Sequence, residues 1–180
     1  MLKMPLDEIK RLTKIHLQVD LSNSHLTHVG QIMESLIHLN LNDSIIPEIW
    51  NLGTSFWNIQ VLWIARSELI ELSGFCALDN LKELYCSYNE IYSLNGLMYL
   101  DKLEVLDLEA NWISKFDELN TLKFVSSLKH INLDLNPISY EWNYRKRVMR
   151  MLEQLETIDD YDIKALESQK VKPCDITAVL

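Results

Sequence analysis

Twenty-six carboxylates, five histidines and three cysteines are the groups in this 180-residue chain that acid–base, nucleophilic or metal chemistry would draw on. Their spacing serves none of these. Cys76, Cys86 and Cys174 are too few and too far apart for a disulfide framework or a CxxC metal knuckle, so reduced thiols are expected. His25 and His28 stand three residues apart with no cysteine or further histidine at ligand spacing, which places them on the surface rather than at a metal. The adjacent pairs Asp7-Glu8 and Asp159-Asp160 read as solvated faces, not as an acid and a base. No GxxxxGK[ST], HExxH, GxSxG or strand-borne GxGxxG occurs. No catalytic residue, metal or cofactor is expected, and the chain reads as a non-enzyme.

The other chemistry available is recognition. Trp63, Tyr85 and Tyr88 are large amphipathic rings of the kind that anchor protein interfaces, where one truncation can cost about 2 kcal/mol or more. Glu83, Asp107, Glu109 and Asp134 are expected to form an acidic border towards the C-terminal side and to steer a basic partner. A net charge of −9 argues against direct contact with nucleic acid. The opening MLKMPLDEIKRL has no apolar stretch of secretory length, and nowhere do about 18 apolar residues run together. A soluble intracellular chain is expected.

These side chains need elements to hold them, and a repeat supplies them. Leu and Ile number 31 and 17, and they recur in a frame with apolar residues at positions 1, 4, 6 and 11 and a small polar residue at 9. Leu36, Leu39, Leu41, Ser44 and Ile46 fit it, as do Ile59, Leu62, Ile64, Ser67 and Leu69. Leu81, Leu84, Cys86, Asn89 and Ile91 follow, then Leu103, Leu106, Leu108, Asn111 and Ile113, then Leu128, Ile131, Leu133, Asn136 and Ile138. The starts are 22 to 25 residues apart, the period of leucine-rich repeats. The expected fold is therefore α/β, a leucine-rich-repeat solenoid. It is a right-handed arc with a parallel β-sheet on the concave face, short 3₁₀ or α turns on the convex face and a C-terminal cap.

In this frame each repeat opens with a short strand whose position 4 and 6 side chains point inward. Ser44, Ser67, Asn89, Asn111 and Asn136 sit where the chain leaves the strand and are expected to bond the turn's backbone groups. Gly74 and Gly96 share one place in two repeats and predict a turn needing glycine's conformational freedom. Residues 121–127 predict a longer outer helix in the fourth repeat. Positions 3, 5, 7 and 8 point out of the inner sheet, which leaves Trp63, Tyr85 and Tyr88 bare beside Arg66, Glu83, Asp107, Glu109 and Asp134. Trp50, Trp57 and Trp142 lie outside the strands and read as packing residues.

The predicted organisation is an N-terminal cap with a degenerate repeat over 1–35, five repeats over 36–138, a cap over 139–161 and a loose tail over 162–180. In the cap, Val148, Met151, Leu152 and Leu155 share one helix face, and Ile158 repeats the strand spacing. The basic run Arg145, Lys146, Arg147 and Arg150 reads as a solvated helix face.

The 22-residue repeats with Leu72 to Phe75 and Leu94 to Leu97 resemble the subclass known from a regulatory subunit of protein phosphatase 1. NPISYEWNYRKRVMRMLEQLETIDD is similar to the cap of that subclass, with Tyr144, Arg145, Leu155, Ile158 and Asp159 in place. Longer strings over 51–160, among them NIQVLWIARSELIELSG and LKELYCSYNEIYSLNGL, resemble the leucine-rich-repeat-containing protein 56 family. That resemblance implies a ciliary adaptor, acting in assembly of outer dynein arms or their delivery with the intraflagellar-transport machinery. It also implies a home in cytoplasm and cilium or flagellum, with dynein-arm assembly factors or transport proteins as partners and no membrane contact. A monomer is expected. The alternative is a regulatory subunit of a protein phosphatase or another scaffold, including a spliceosomal one, since an aromatic and acidic face suits any basic protein.

Overall fold

The computed structural model describes residues 5–168. Cys174 and the predicted tail from residue 169 onward lie outside the described residues. One short strand per repeat builds the inner face: β1 Lys14–His16, β2 His38–Asn40, β3 Val61–Trp63, β4 Glu83–Tyr85, β5 Val105–Asp107, β6 His130–Asn132 and β7 Thr157–Ile158. They pair in sequence order, all parallel, and β8 Tyr161–Asp162 closes the sheet antiparallel to β7. The register aligns equivalent positions, with Leu39, Leu62, Leu84, Leu106 and Ile131 abreast. These five residues are at most 2% exposed, because alternation turns the middle side chain of each strand into the core.

The core is one apolar column from Leu21 to Ile158. Its outer wall is 3₁₀ helix: Ile49–Leu52, Phe75–Ala77, Asn95–Tyr99 and Phe116–Phe124. The last is the longer segment that the 25-residue step foretold, tightened into 3₁₀ geometry over nine residues. At the N-terminal end, α1 (Leu6–Ile9) and α2 (Thr27–Ile32) flank β1. Leu12, Ile15 and Leu17 pack there only half-buried, so the first repeat is looser than its successors.

The strand ends carry the fold's main polar device. Asn89 Oδ1 accepts from the Ser67 and Leu69 amides at 2.9 and 3.1 Å, while its Nδ2 donates to the carbonyls of Ile64 and Cys86, both at 2.9 Å. Asn111 accepts from Ile91 N–H at 3.0 Å and donates to Cys86 and Leu108. Asn136 does the same for Ile113, Leu108 and Leu133. Ser67 Oγ reaches the Leu41 carbonyl at 3.1 Å, and Ser44 Oγ accepts from Val19 N–H at 3.1 Å. Each of these side chains thus ties its own turn to the preceding repeat. The residue just before each is left-handed: Asp43, Arg66, Tyr88, Ala110 and Leu135 have φ between 51° and 60°. Only Asp43 is of a type enriched there, so sequence reading had no cue to this conformation at Arg66, Tyr88, Ala110 and Leu135.

Gly74 needs its freedom, with φ of 102°, but Gly96 does not lie in the left-handed region. Gly96 is demanded by close approach instead: a Cβ there would strike the carbonyl of Leu72 in the repeat before.

At the C-terminal end, α3 (Tyr144–Met151) presses Val148, with Leu152 just past its end, onto the core, both fully buried. Asp159 contradicts its expected exposure. It is 6% exposed, accepting from the Tyr144 hydroxyl at 2.8 and 2.7 Å, from Arg145 Nε at 2.8 Å and from the Leu133 amide at 2.9 Å. In the preceding repeats the amide equivalent to Leu133 bonds the next strand's carbonyl, as Leu108 bonds Asn132. The Asp159 carboxylate replaces that carbonyl where the ladder stops. Burial, then the bond to Asp159, pushes the Tyr144 hydroxyl far up, so it remains a donor.

Two further expectations are modified here. Residues 162–168 are not loose: β8 extends the sheet into Asp162, and α4 (Ile163–Ser168) begins with Ile163 half-buried against the core. The basic run is solvated at Lys146, Arg147 and Arg150, as expected, but Arg145 is half-buried, approaching Asp134 at 3.7 Å and covering the Tyr161 ring, and Arg147 also stacks over Phe116 at 3.5 Å. Among the described residues no buried side-chain nitrogen or oxygen lacks a partner.

Asn111→Leu is expected to lower stability by about 2–4 kcal/mol, because it strands the Ile91 amide and two buried carbonyls. Asp159→Ala should cost as much through the Leu133 amide and Tyr144 hydroxyl. Urea unfolding midpoints measure both; an unchanged midpoint would mean that the ladder contributes nothing.

Candidate protein-binding site

The sheet's inner face is set by strand alternation. With position 4 buried, positions 3 and 5 stand on the concave side, and the parallel register brings Trp63 beside Tyr85 and Tyr85 beside Asp107. The rings of Trp63 and Tyr85 stack with centroids 5.5 Å apart and planes within 8°. His38 meets Trp63 edge-on at 6.1 Å, and Lys14 Nζ lies 5.3 Å from the Trp63 ring. Both stacked rings are half-buried, not bare as expected, because they pack sideways across strands. Each keeps part of its surface open to solvent.

The Tyr85 hydroxyl donates to Glu83 at 2.9 Å, which fixes the ring's far end. Burial, and then this bond to a carboxylate, pushes its pKa up to about 12. Cys86 points the other way, fully buried, and burial raises its thiol well above the usual range, as befits an inert core group.

Beside the stack lies a hollow of about 270 Å³ lined by Tyr85, Asp107, Glu109, His130, Asn132 and Asp160, among others. No lysine or arginine lines it. Asp107 accepts from the Glu109 amide at 3.0 Å, yet its pKa is raised, first by burial and then by the neighbouring charges of Glu109 and Asp160. His130 is tied to the Thr157 hydroxyl at 2.9 Å.

The structure therefore brings together Trp63, Tyr85, Glu83, Asp107 and Glu109. Tyr88 stands at the rim on its left-handed turn, half-exposed, donating to Glu109 at 3.0 Å. Arg66 is occupied by Asp43 in an exposed ion pair at 2.6 Å, and Asp134 is drawn towards Arg145 of the cap. Asp160 and Thr157 join the hollow without having been singled out, because the repeat frame ends at residue 138. The spacing of Leu155 and Ile158 was the signal that a further strand follows.

Strand-per-repeat stacking with an open, recessed sheet defines a protein-interaction scaffold of the leucine-rich-repeat class. The leucine-rich-repeat family profile matches residues 6–174, and the chain belongs to that family. It is 33% identical to Leucine-rich repeat-containing protein 56 from Homo sapiens over 86% of its own length and 31% of the relative's, and equally similar to the Mus musculus protein. The chain thus spans about a third of these relatives. A chain of the Drosophila melanogaster SNF/U2A' complex superposes with a TM-score of 0.65 at 28% identity, covering 72% of this chain and 76% of that one.

A raised folded-state pKa makes Asp107 favour the fold at acid pH, a contribution lost as pH rises through that pKa. Asp107→Asn keeps an acceptor for the Glu109 amide and removes the charge. Its thermal midpoint is expected to exceed the parent's at pH 7 and to match it at pH 3; a lower midpoint at pH 7 would contradict this reading.

Proposed function

We propose that this protein is a non-catalytic adaptor whose concave face grips a basic segment of a partner in the assembly or ciliary transport of outer dynein arms. The observation that carries the binding mode is the Trp63–Tyr85 stack beside a carboxylate-lined hollow with no cation of its own. Stacked rings already held in place lose little freedom on binding and offer an apolar platform. The neighbouring carboxylates supply attraction and orientation for lysine or arginine.

The ciliary setting is what kinship with Leucine-rich repeat-containing protein 56, 33% identical over 86% of this chain, implies. Asn40, Asp107 and Asn132 occupy the same repeat position as Trp63 and Tyr85, so the sheet accepts small polar side chains there. The rings answer to a partner.

Cells lacking the protein are expected to lose outer dynein arms in axonemal cross-sections, and intact arms would end this reading. In rescue with Trp63→Ala plus Tyr85→Ala, arm number should stay low although the variant accumulates normally. Capture of the partner should weaken by about 1–3 kcal/mol per ring. Full rescue would move the binding site elsewhere.

A further inference from the structure

The concave face leaves unexplained a second apolar strip on the flank, where the chain runs from each strand towards its 3₁₀ turn. Trp50, Ile70 and Tyr92 are 50, 45 and 50% exposed, while neighbouring Ile49, Leu69 and Ile91 are buried. Trp50 was expected to pack away, as were Trp57 and Trp142; Trp50 and Trp57 are only half covered, and Trp142 is 84% exposed. Two hollows of about 320 and 270 Å³ adjoin along this strip and share Glu71 and Ser73. The first is bounded by Pro47, Glu48, Trp50 and Ile70, the second by Tyr92 and Asn95 among others. Together they form one channel across three repeats.

Folding does not require this composition. The equivalent of Ile70 and Tyr92 is Ser114 in the fourth repeat and Ser139 in the fifth. At this position the first three repeats carry Pro47, Ile70 and Tyr92. It is also held in place. The Trp50 indole lies against bare Gly74, where an added Cβ would come within 3.0 Å of its ring carbons. Tyr92 donates to one Glu71 oxygen at 2.9 Å, and the Ser73 hydroxyl to the other at 3.4 Å. Both donors are neutral, so the Glu71 charge stays uncompensated at the channel's centre. Glu48 adds a second carboxylate, and no lysine, arginine or histidine lines either hollow.

From this charge pattern we infer that the flank channel is a second docking site, taking a segment of another protein in which a lysine or arginine sits between apolar side chains. The cation meets Glu71, and the apolar groups lie on Trp50, Ile70 and Tyr92. The site is independent of the concave face, and a scaffold with both engages two partners at once.

The test uses the 180-residue chain and two labelled nonapeptides, one alternating leucine with lysine and one alternating leucine with glutamate, followed by fluorescence anisotropy. The lysine peptide is expected to bind and the glutamate peptide not to. Ile70→Ser, the residue type that the fourth repeat carries, and Glu71→Gln should each weaken binding about tenfold. Both are read in the Trp63→Ala plus Asp107→Asn background, which disables the concave face and is expected still to bind the lysine peptide. Loss of binding in that background would seat the peptide on the concave face and overturn the channel. Equal binding of both peptides, or of neither, would overturn it as well.

Discussion

The buried hydrogen bonds at the strand ends are the constraint from which the rest of the molecule follows. Each repeat must leave its strand sharply enough to return along the outer wall, and it does so through a left-handed residue that costs about 1 kcal/mol or more. The turn leaves amides and carbonyls inside an apolar column, where each unpaired group would cost about 1–3 kcal/mol. One asparagine or serine per repeat satisfies them by reaching across to the preceding turn. The same bonds that close a turn therefore lock one repeat on the next, and the sheet's register is a consequence.

Stopping such a ladder is as demanding as extending it. Strand β6 is followed only by the two-residue β7, and the Asp159 carboxylate just past it takes the place of the strand carbonyl that would receive the Leu133 amide. Its charge is balanced by Arg145 and its remaining lone pairs by Tyr144, so a buried acid becomes the terminus of the polar column. Arg145 is consumed in this task, whereas Lys146, Arg147 and Arg150 of the same run stay exposed.

With the interior settled by repetition, the surface is free to vary from repeat to repeat. On the concave side the variation places two stacked rings against three carboxylates; on the flank it places Trp50, Ile70 and Tyr92 around a held glutamate. Both sets occupy positions that other repeats fill with small polar residues. Their shared acidity matches the chain's overall charge of −9 and selects the same kind of partner chemistry for two separate surfaces.

Periodicity made the strands, the inward leucines, the polar ladder and the inner-face positions legible, because a 22-residue frame assigns each residue an orientation without reference to distant contacts. Local rules did not reveal the left-handed turns at Arg66, Tyr88, Ala110 and Leu135, since none of these residues prefers that conformation and stacking alone imposes it. Gly96 was legible as necessary but not for its reason, the carbonyl of Leu72 one repeat away. Nor did adjacency in sequence reveal that Asp159 is buried while Asp160 faces the concave hollow. The chain's own order of residues determined the solenoid. Which rings meet, which charges remain unpaired and where the hollows open were decided only when successive repeats came to lie side by side.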